Sequence, residues 1–327
     1  MTKLLSIAAN TFLQSIRQPI YTVMTLVTFA LLVFTLPFTG YTLSVDFHKT
    51  DQQMLENLGL ATLRVSAMLM AAFIASGVLR REIEEKTALI VIAKPVPRWM
   101  FVLGKFLGVA AAIAVAYYLC SLVFLMTVRH RVVPAAYDRV DWVVITAGLS
   151  AFGLSLLVAM IGNLWFGWAF TSANVLTNLV FLTLGTIVIG FVGKQWQLIP
   201  FGQGIPGQLL LELAMMFMAV VVFVALAIAA SARLGQAMTL LVCTVVFLLG
   251  SAHPQIVGRW ADRVPAVRFV GWVLPNFSQF YPQDDLRLET IPLSLVGMAA
   301  LYCVLYAAGL VALAMALFQT RELRAAR

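Results

Sequence analysis

The chain has 327 residues, 62% of them hydrophobic and only 11% charged, with mean hydropathy +0.95, net charge +8 and a pI near 9.7. A soluble domain carries roughly a quarter of its residues as charge, so this composition excludes one and describes an integral membrane protein. The basic balance does not indicate nucleic acid, because no basic tract with interleaved aromatics stands on a soluble scaffold.

Residues 1–18 read as an amphipathic helix lying in a membrane interface. Lys3, Ser6, Asn10, Gln14 and Arg17 recur every three or four positions, opposite Leu5, Ile7, Phe12, Leu13 and Ile16. The stretch lacks the continuous apolar run and small-residue cleavage site of a signal peptide. Residues 19–327 follow as one transmembrane domain. About 20 apolar residues cross a hydrocarbon core, and eight segments are candidates: 20–44, 59–79, 100–127, 142–162, 173–192, 208–230, 237–252 and 292–318. The seventh, at sixteen residues, is short for a span. The expected fold is therefore all-α, a polytopic helical bundle of about eight spans.

Charge is dense only between the second and third spans. Residues 80–93 hold no Gly or Pro and mix helix formers with charge, which predicts a short surface helix. Ile83, Thr87, Ile90 and Val91 share one face, and Glu82, Glu84, Glu85 and Lys86 are left for water or a partner. Lys94-Pro95-Val96-Pro97 ends that helix, since each proline removes a donor and restricts its predecessor. Gly104 and Gly108, at the start of the third span, allow a second helix to approach closely.

Arg64 and Glu212 are charges placed inside spans, each near the outer end, where snorkelling or a buried pair would accommodate them. Gly202-Gln203-Gly204-Ile205-Pro206-Gly207 matches a dinucleotide fingerprint in letters only, because it follows a membrane span and carries a proline. Residues 253–291 form the longest stretch outside the spans, an outer region in which short amphipathic or re-entrant helices are expected. Cys120, Cys243 and Cys303 lie in separate apolar runs, and His48, His130 and His253 in separate loops, so neither a disulfide framework nor a metal site is suggested. No paired carboxylates or Ser, His and acid cluster supports a catalytic site.

Orientation follows from charge on alternate loops. With the N-terminus inside, the inner side holds twelve Lys and Arg residues against four acids, which is the whole net charge of +8. Both termini are thus expected in the cytoplasm, in a cell inner membrane.

The pattern Glu82-x-Glu84-Glu85-Lys86-Thr87, followed by Lys94-Pro95-Val96-x-Arg98-x-x-Phe101-x-x-Gly104-Lys105, resembles the segment between the second and third helices of ABC-2 type transporter permeases. The subgroup linked to maturation of multi-copper enzymes is the most similar, although many members have Gly where this chain has Lys86. The resemblance implies that residues 80–99 are the cytoplasmic coupling segment, in which Glu82, Glu84, Glu85, Lys86, Thr87, Lys94, Pro95, Pro97 and Arg98 meet a separate ATPase. It further implies that the N-terminal helix is an elbow helix, and that the turn Ser231–Gln236 is a second region near the ATPase. Leu274-Pro275-Asn276 resembles an element before the last span. The family count is six helices, so the fourth and fifth spans are an added pair.

No GxxxxGK[ST] phosphate loop is present in the sequence. ATP and Mg²⁺ are therefore expected in a partner subunit, with two permeases paired as a homodimer or heterodimer. A membrane scaffold or assembly factor without transport of its own is the alternative function.

Overall fold

A computed structural model describes residues 2–39, 47–84, 97–132, 140–260, 264–281 and 291–325. They are mostly helical, with no strand among them. In chain order the helices are α1 (Thr2–Ile16), α2 (Pro19–Thr39), α3 (Phe47–Glu84), α4 (Arg98–His130), α5 (Trp142–Phe166), α6 (Phe170–Phe191), α7 (Gly207–Ser231), α8 (Gln236–Ser251), α9 (His253–Trp260), α10 (Pro265–Val273) and α11 (Leu293–Ala325). A single 3₁₀ turn, Ser278–Phe280, is also described.

Seven of these helices, α2 to α7 and α11, are long and apolar enough to cross a membrane. The short seventh candidate of the sequence is α8, which passes only together with α9, and the two are bent by 64°. Pro254 explains the break. It sits in the first turn of α9 and cannot continue α8, because it lacks an N–H and its ring clashes with a preceding helical turn.

Two boundaries differ from the sequence reading. Helix α3 begins at Phe47, twelve residues before the apolar run that marked it. Good helix formers extend it, and Gln52 Nε2 donates to Glu56 Oε1 at 3.0 Å across one turn. At its other end α3 continues through Arg80 to Glu84 without a break, so no separate helix starts at Arg80. Nothing between residues 64 and 84 is a breaker except Gly77, which a helix tolerates at a cost of about 1 kcal/mol.

The chain divides into two compact units, one of Met1–Ser15, Met68–Ile113 and Gln208–Arg327, the other of Ile16–Ala67 and Ala114–Gly207. In the second unit α2 is polar inside and apolar outside. It buries Tyr21, Thr25, Thr28, Leu32, Thr35 and Thr39, while Val27, Leu31, Phe34 and Phe38 stay exposed. In lipid this is the favourable arrangement, since tails solvate leucine as well as another helix does, and small or hydroxyl residues permit closer packing. The buried hydroxyls are satisfied within the helix: Thr25 donates to the Tyr21 carbonyl at 2.8 Å and Thr28 to that of Met24 at 2.8 Å.

Small residues also join the hairpin of α5 and α6. Helix α5 buries Ala151, Ser155, Ala159 and Gly162. A Cβ on Gly185 of α6 would stand 3.2 Å from the Ala151 Cβ, and Thr177 Oγ1 donates to the Ser155 carbonyl at 3.0 Å. Gly167, at φ 67°, closes the turn in a left-handed conformation that glycine adopts without strain. Exposed aromatics mark both ends of the hairpin. Trp142 is 60% exposed at one end and Trp165 77% exposed at the other. Their 23 intervening steps span about 35 Å at about 1.5 Å per residue, slightly more than a hydrocarbon core of about 30 Å. Both rings are thus spaced to lie at the two interfaces, where Trp is favoured.

In the first unit α7 is the central helix. Met215, Ala219, Val220, Val222, Ala225 and Ala227 are wholly buried on several of its faces, as expected of a helix apolar all round. The region 253–291 contains short helices where they were expected, α9 and α10. Beyond them Phe277 is fully buried against Phe223 and Phe247, at ring separations of 6.1 and 6.4 Å. Gly250 makes room for it, because a Cβ there would lie 2.7 Å from the Phe277 ring. The Asn276 N–H donates to the Tyr302 hydroxyl at 3.0 Å, and its Oδ1 accepts from Ser278 Oγ at 2.6 Å. The Leu274-Pro275-Asn276 element is therefore a packed plug between α8 and α11.

Candidate functional site

At one end of the first unit, four elements meet around the start of α4. Phe101 of α4 lies 5.7 Å from Phe318 of α11, and the Lys105 ammonium sits 5.5 Å over the Phe101 ring. Arg233, in the turn between α7 and α8, donates to the Leu317 carbonyl of α11 at 3.0 Å. Leu103 and Phe106 of α4 pack with Ala225 of α7 and Ala307 and Val311 of α11. The α7–α8 turn, the last turns of α11 and the first turns of α4 thus share one end, and α1 joins them there.

Helix α1 meets α4 over the two glycines. A Cβ on Gly104 would come 2.7 Å from Ile7 Cγ2, and one on Gly108 would come 2.5 Å from both the Ala8 carbonyl oxygen and Thr11 Cβ. The sequence reading gave α1 two faces, and the structure gives it three. Ile7, Ala8, Thr11 and Ser15 turn toward the protein, with Thr11 and Ser15 wholly buried. Their hydroxyls donate to the Ile7 and Thr11 carbonyls at 2.9 and 2.8 Å. Leu5, 65% exposed, and Leu13, 38% exposed, form a separate apolar stripe, and Lys3, Asn10 and Gln14 a polar one. At about 100° per residue the three stripes fall roughly 120° apart. The protein-facing stripe escaped the sequence analysis because it is built from small and hydroxyl residues, which hydropathy counts as neither face.

Replacing Gly108 by alanine is expected to loosen α1. The added methyl meets a backbone oxygen that cannot rotate away, and overpacking of this kind costs about 1–3 kcal/mol against a helix-propensity gain of about 1 kcal/mol. Gly104→Ala meets only a side chain and should be milder. Amide exchange of α1 in detergent measures the effect, with Gly153→Ala as control, since a Cβ at Gly153 meets nothing within 4 Å. Equal protection in Gly108→Ala and the control would show that α1 is not seated there.

Of the residues assigned to the coupling segment, Glu82 and Glu84 form the last turn of α3, and Arg98 is the first residue of α4. The Pro97 carbonyl accepts from the Met100 and Phe101 N–H groups at 3.0 and 3.3 Å, so Pro97 caps α4. Glu85, Lys86, Thr87, Lys94 and Pro95 lie outside the described residues, as does the rest of 85–96. Glu212 is buried in α7 and Arg64 half-buried in α3, and they belong to different units. Lys105, read as part of the charged segment, is buried in the second turn of α4 at 2% exposure.

One ion pair was missed altogether. Arg129, in the last turn of α4, is buried, and its Nη1 lies 3.1 Å from Asp141 Oδ2. Asp141 is itself wholly buried and caps α5, its Oδ1 accepting from the Val144 N–H at 3.3 Å. The available signal was Asp141 immediately before an apolar run, a favoured N-cap position. Because the pair is internally neutral, Arg129 carries no weight in an orientation count.

Cys120, Cys243 and Cys303 are free and buried. Compared with protein-family models and with curated proteins, the chain matches none.

Proposed function

We propose that this chain is the membrane-spanning permease subunit of an ABC-2 type ABC transporter, acting as an exporter driven by a separate ATP-binding subunit. What carries the reading is the joint between α1 and α4. An elbow helix and a coupling segment are the two elements that the motif resemblance implies. In this chain an N-terminal helix with an exposed apolar stripe is seated on glycines a few residues beyond Lys94-Pro95-Val96-x-Arg98. Force applied to the segment before Pro97 would pass into α4 and α1 together, and through Phe101 and Phe318 into α11.

On this reading both termini face the cytoplasm of the inner membrane, and α8 with α9 counts as the eighth span. Two copies, or this chain with a second permease, assemble with two ATP-binding subunits that hold ATP and Mg²⁺. The chain supplies no catalytic residue to hydrolysis. The test is purification of the chain alone and from its native membrane together with any ATPase that it retains. The isolated chain is expected to be inactive toward ATP and the complex active. Robust hydrolysis by the isolated chain would overturn the proposal, and failure of any ATPase to co-purify would favour a scaffold.

A further inference from the structure

The second unit contains a cleft of about 540 Å³ between α2, α4, α5 and α6. Its walls are Leu26, Phe29 and Val33 of α2 and Val144, Leu149 and Phe152 of α5, with Val123 and Met126 of α4 beneath. Among the described residues, polar side chains enter the lining only through Thr127 and His130, at the C-terminal end of α4. Cations gather at that end. His130 is followed by the exposed Arg131, whose carbonyl is 2.8 Å from His130 Nδ1, and Lys194 Nζ donates to the His130 carbonyl at 3.4 Å. Arg129 adds nothing to this balance, being neutralised by Asp141.

The dimensions select an occupant. The α2 wall runs from Leu26 to Leu36, about 15 Å at about 1.5 Å per residue. That is half of a hydrocarbon core of about 30 Å, the depth of one leaflet. The basic mouth lies on the same hairpin end as Trp142, at the level of an interface. A protein side chain or a second transmembrane helix would need neither the cationic mouth nor the one-leaflet depth.

We infer that this cleft binds one acyl chain of an anionic phospholipid from the bilayer, with the phosphate held at Arg131, His130 and Lys194. The added pair α5 and α6 then has a use, since it supplies one wall of a lipid site that α2 and α4 alone would leave open. The inference does not depend on an ATPase partner.

The purified full chain in detergent is titrated with phosphatidylglycerol and with phosphatidylcholine, and bound lipid is counted by native mass spectrometry. Phosphatidylglycerol is expected to bind about ten-fold more tightly at one site per chain. Gly148→Leu should abolish that site by filling the cleft, because the nearest atom to its Cβ would be Met126 Sδ at 3.6 Å and no backbone stands in the way. Ala30→Leu fills the cleft from the opposite wall and should do the same, while Gly153→Leu should not. Arg131→Gln with Lys194→Gln should bind both lipids equally. Undiminished phosphatidylglycerol binding by Gly148→Leu and Ala30→Leu would overturn the site, and a lipid preference surviving the double glutamine variant would overturn the assignment of the headgroup.

Discussion

With Glu84 and Glu85 both replaced by lysine, the chain is expected to lose its ATP-binding subunit while its helices remain folded. Glu84 ends α3, within the charged segment that starts at Arg80. If residues 82–93 dock into an ATPase cleft, the reversal turns an attractive contact into like-charge juxtaposition, which costs several kcal/mol. At about 3 kcal/mol that is roughly a hundred-fold loss of affinity. Replacing Pro95 and Pro97 by alanine should fail differently. Pro97 contributes to α4 through its carbonyl, which accepts from Met100 and Phe101, and alanine keeps that carbonyl. Binding should therefore persist, while loss of the proline stop loosens the angle at which the segment meets α4 and uncouples ATP hydrolysis from transport. Co-purification and ATPase stimulation separate the two outcomes, with Asp284→Lys and Asp285→Lys, in the region 253–291 expected on the outer face, as a control. If the charge reversal binds as well as the wild type, the segment is not the docking surface and a scaffold role is the better account.

Long apolar runs made the spans legible because lipid imposes one rule on every spanning segment, that its backbone be satisfied internally. Composition alone therefore located all seven long helices and flagged α8 as short. Hydropathy failed where polarity and helicity part company. Residues 47–58 are helical yet polar, and Arg80 to Glu84 extend α3 because nothing stops a helix there. It also failed on what faces what. In α1 and α2 the protein-facing residues are mostly threonine, serine, alanine and tyrosine, with Ile16 and Leu32 among them, while Leu5, Leu13, Leu31, Phe34 and Phe38 face outward. A reading that puts apolar residues inside inverts such helices, since burial in a bilayer is decided by fit rather than by transfer from water. The charged segment was read from a motif, and of its residues between Glu84 and Pro97 only these two ends are described.

The pair Arg129 and Asp141 shows what pattern reading misses when two residues twelve apart both look like loop charges, and it carries the largest stability effect expected in the chain. Asp141→Ala removes the partner of a buried guanidinium, which costs about 3–5 kcal/mol, and also the N-cap of α5, worth about 1 kcal/mol. Little else compensates Arg129. Its Nη2 reaches the Val192 carbonyl only at 3.5 Å, and its Nε has no hydrogen-bond partner among the described residues. Asp141→Asn should be intermediate, because the side-chain oxygen can still cap Val144 while the charge is lost. The double variant Arg129→Met with Asp141→Asn should be more stable than Asp141→Asn alone, since replacing both members of a buried pair leaves no stranded charge. Thermal unfolding of the detergent-solubilised chain, followed by loss of helicity, orders the four proteins. A loss below about 1 kcal/mol for Asp141→Ala would mean that water reaches Arg129, and that the joint between α4, α5 and the end of α6 is held by packing instead.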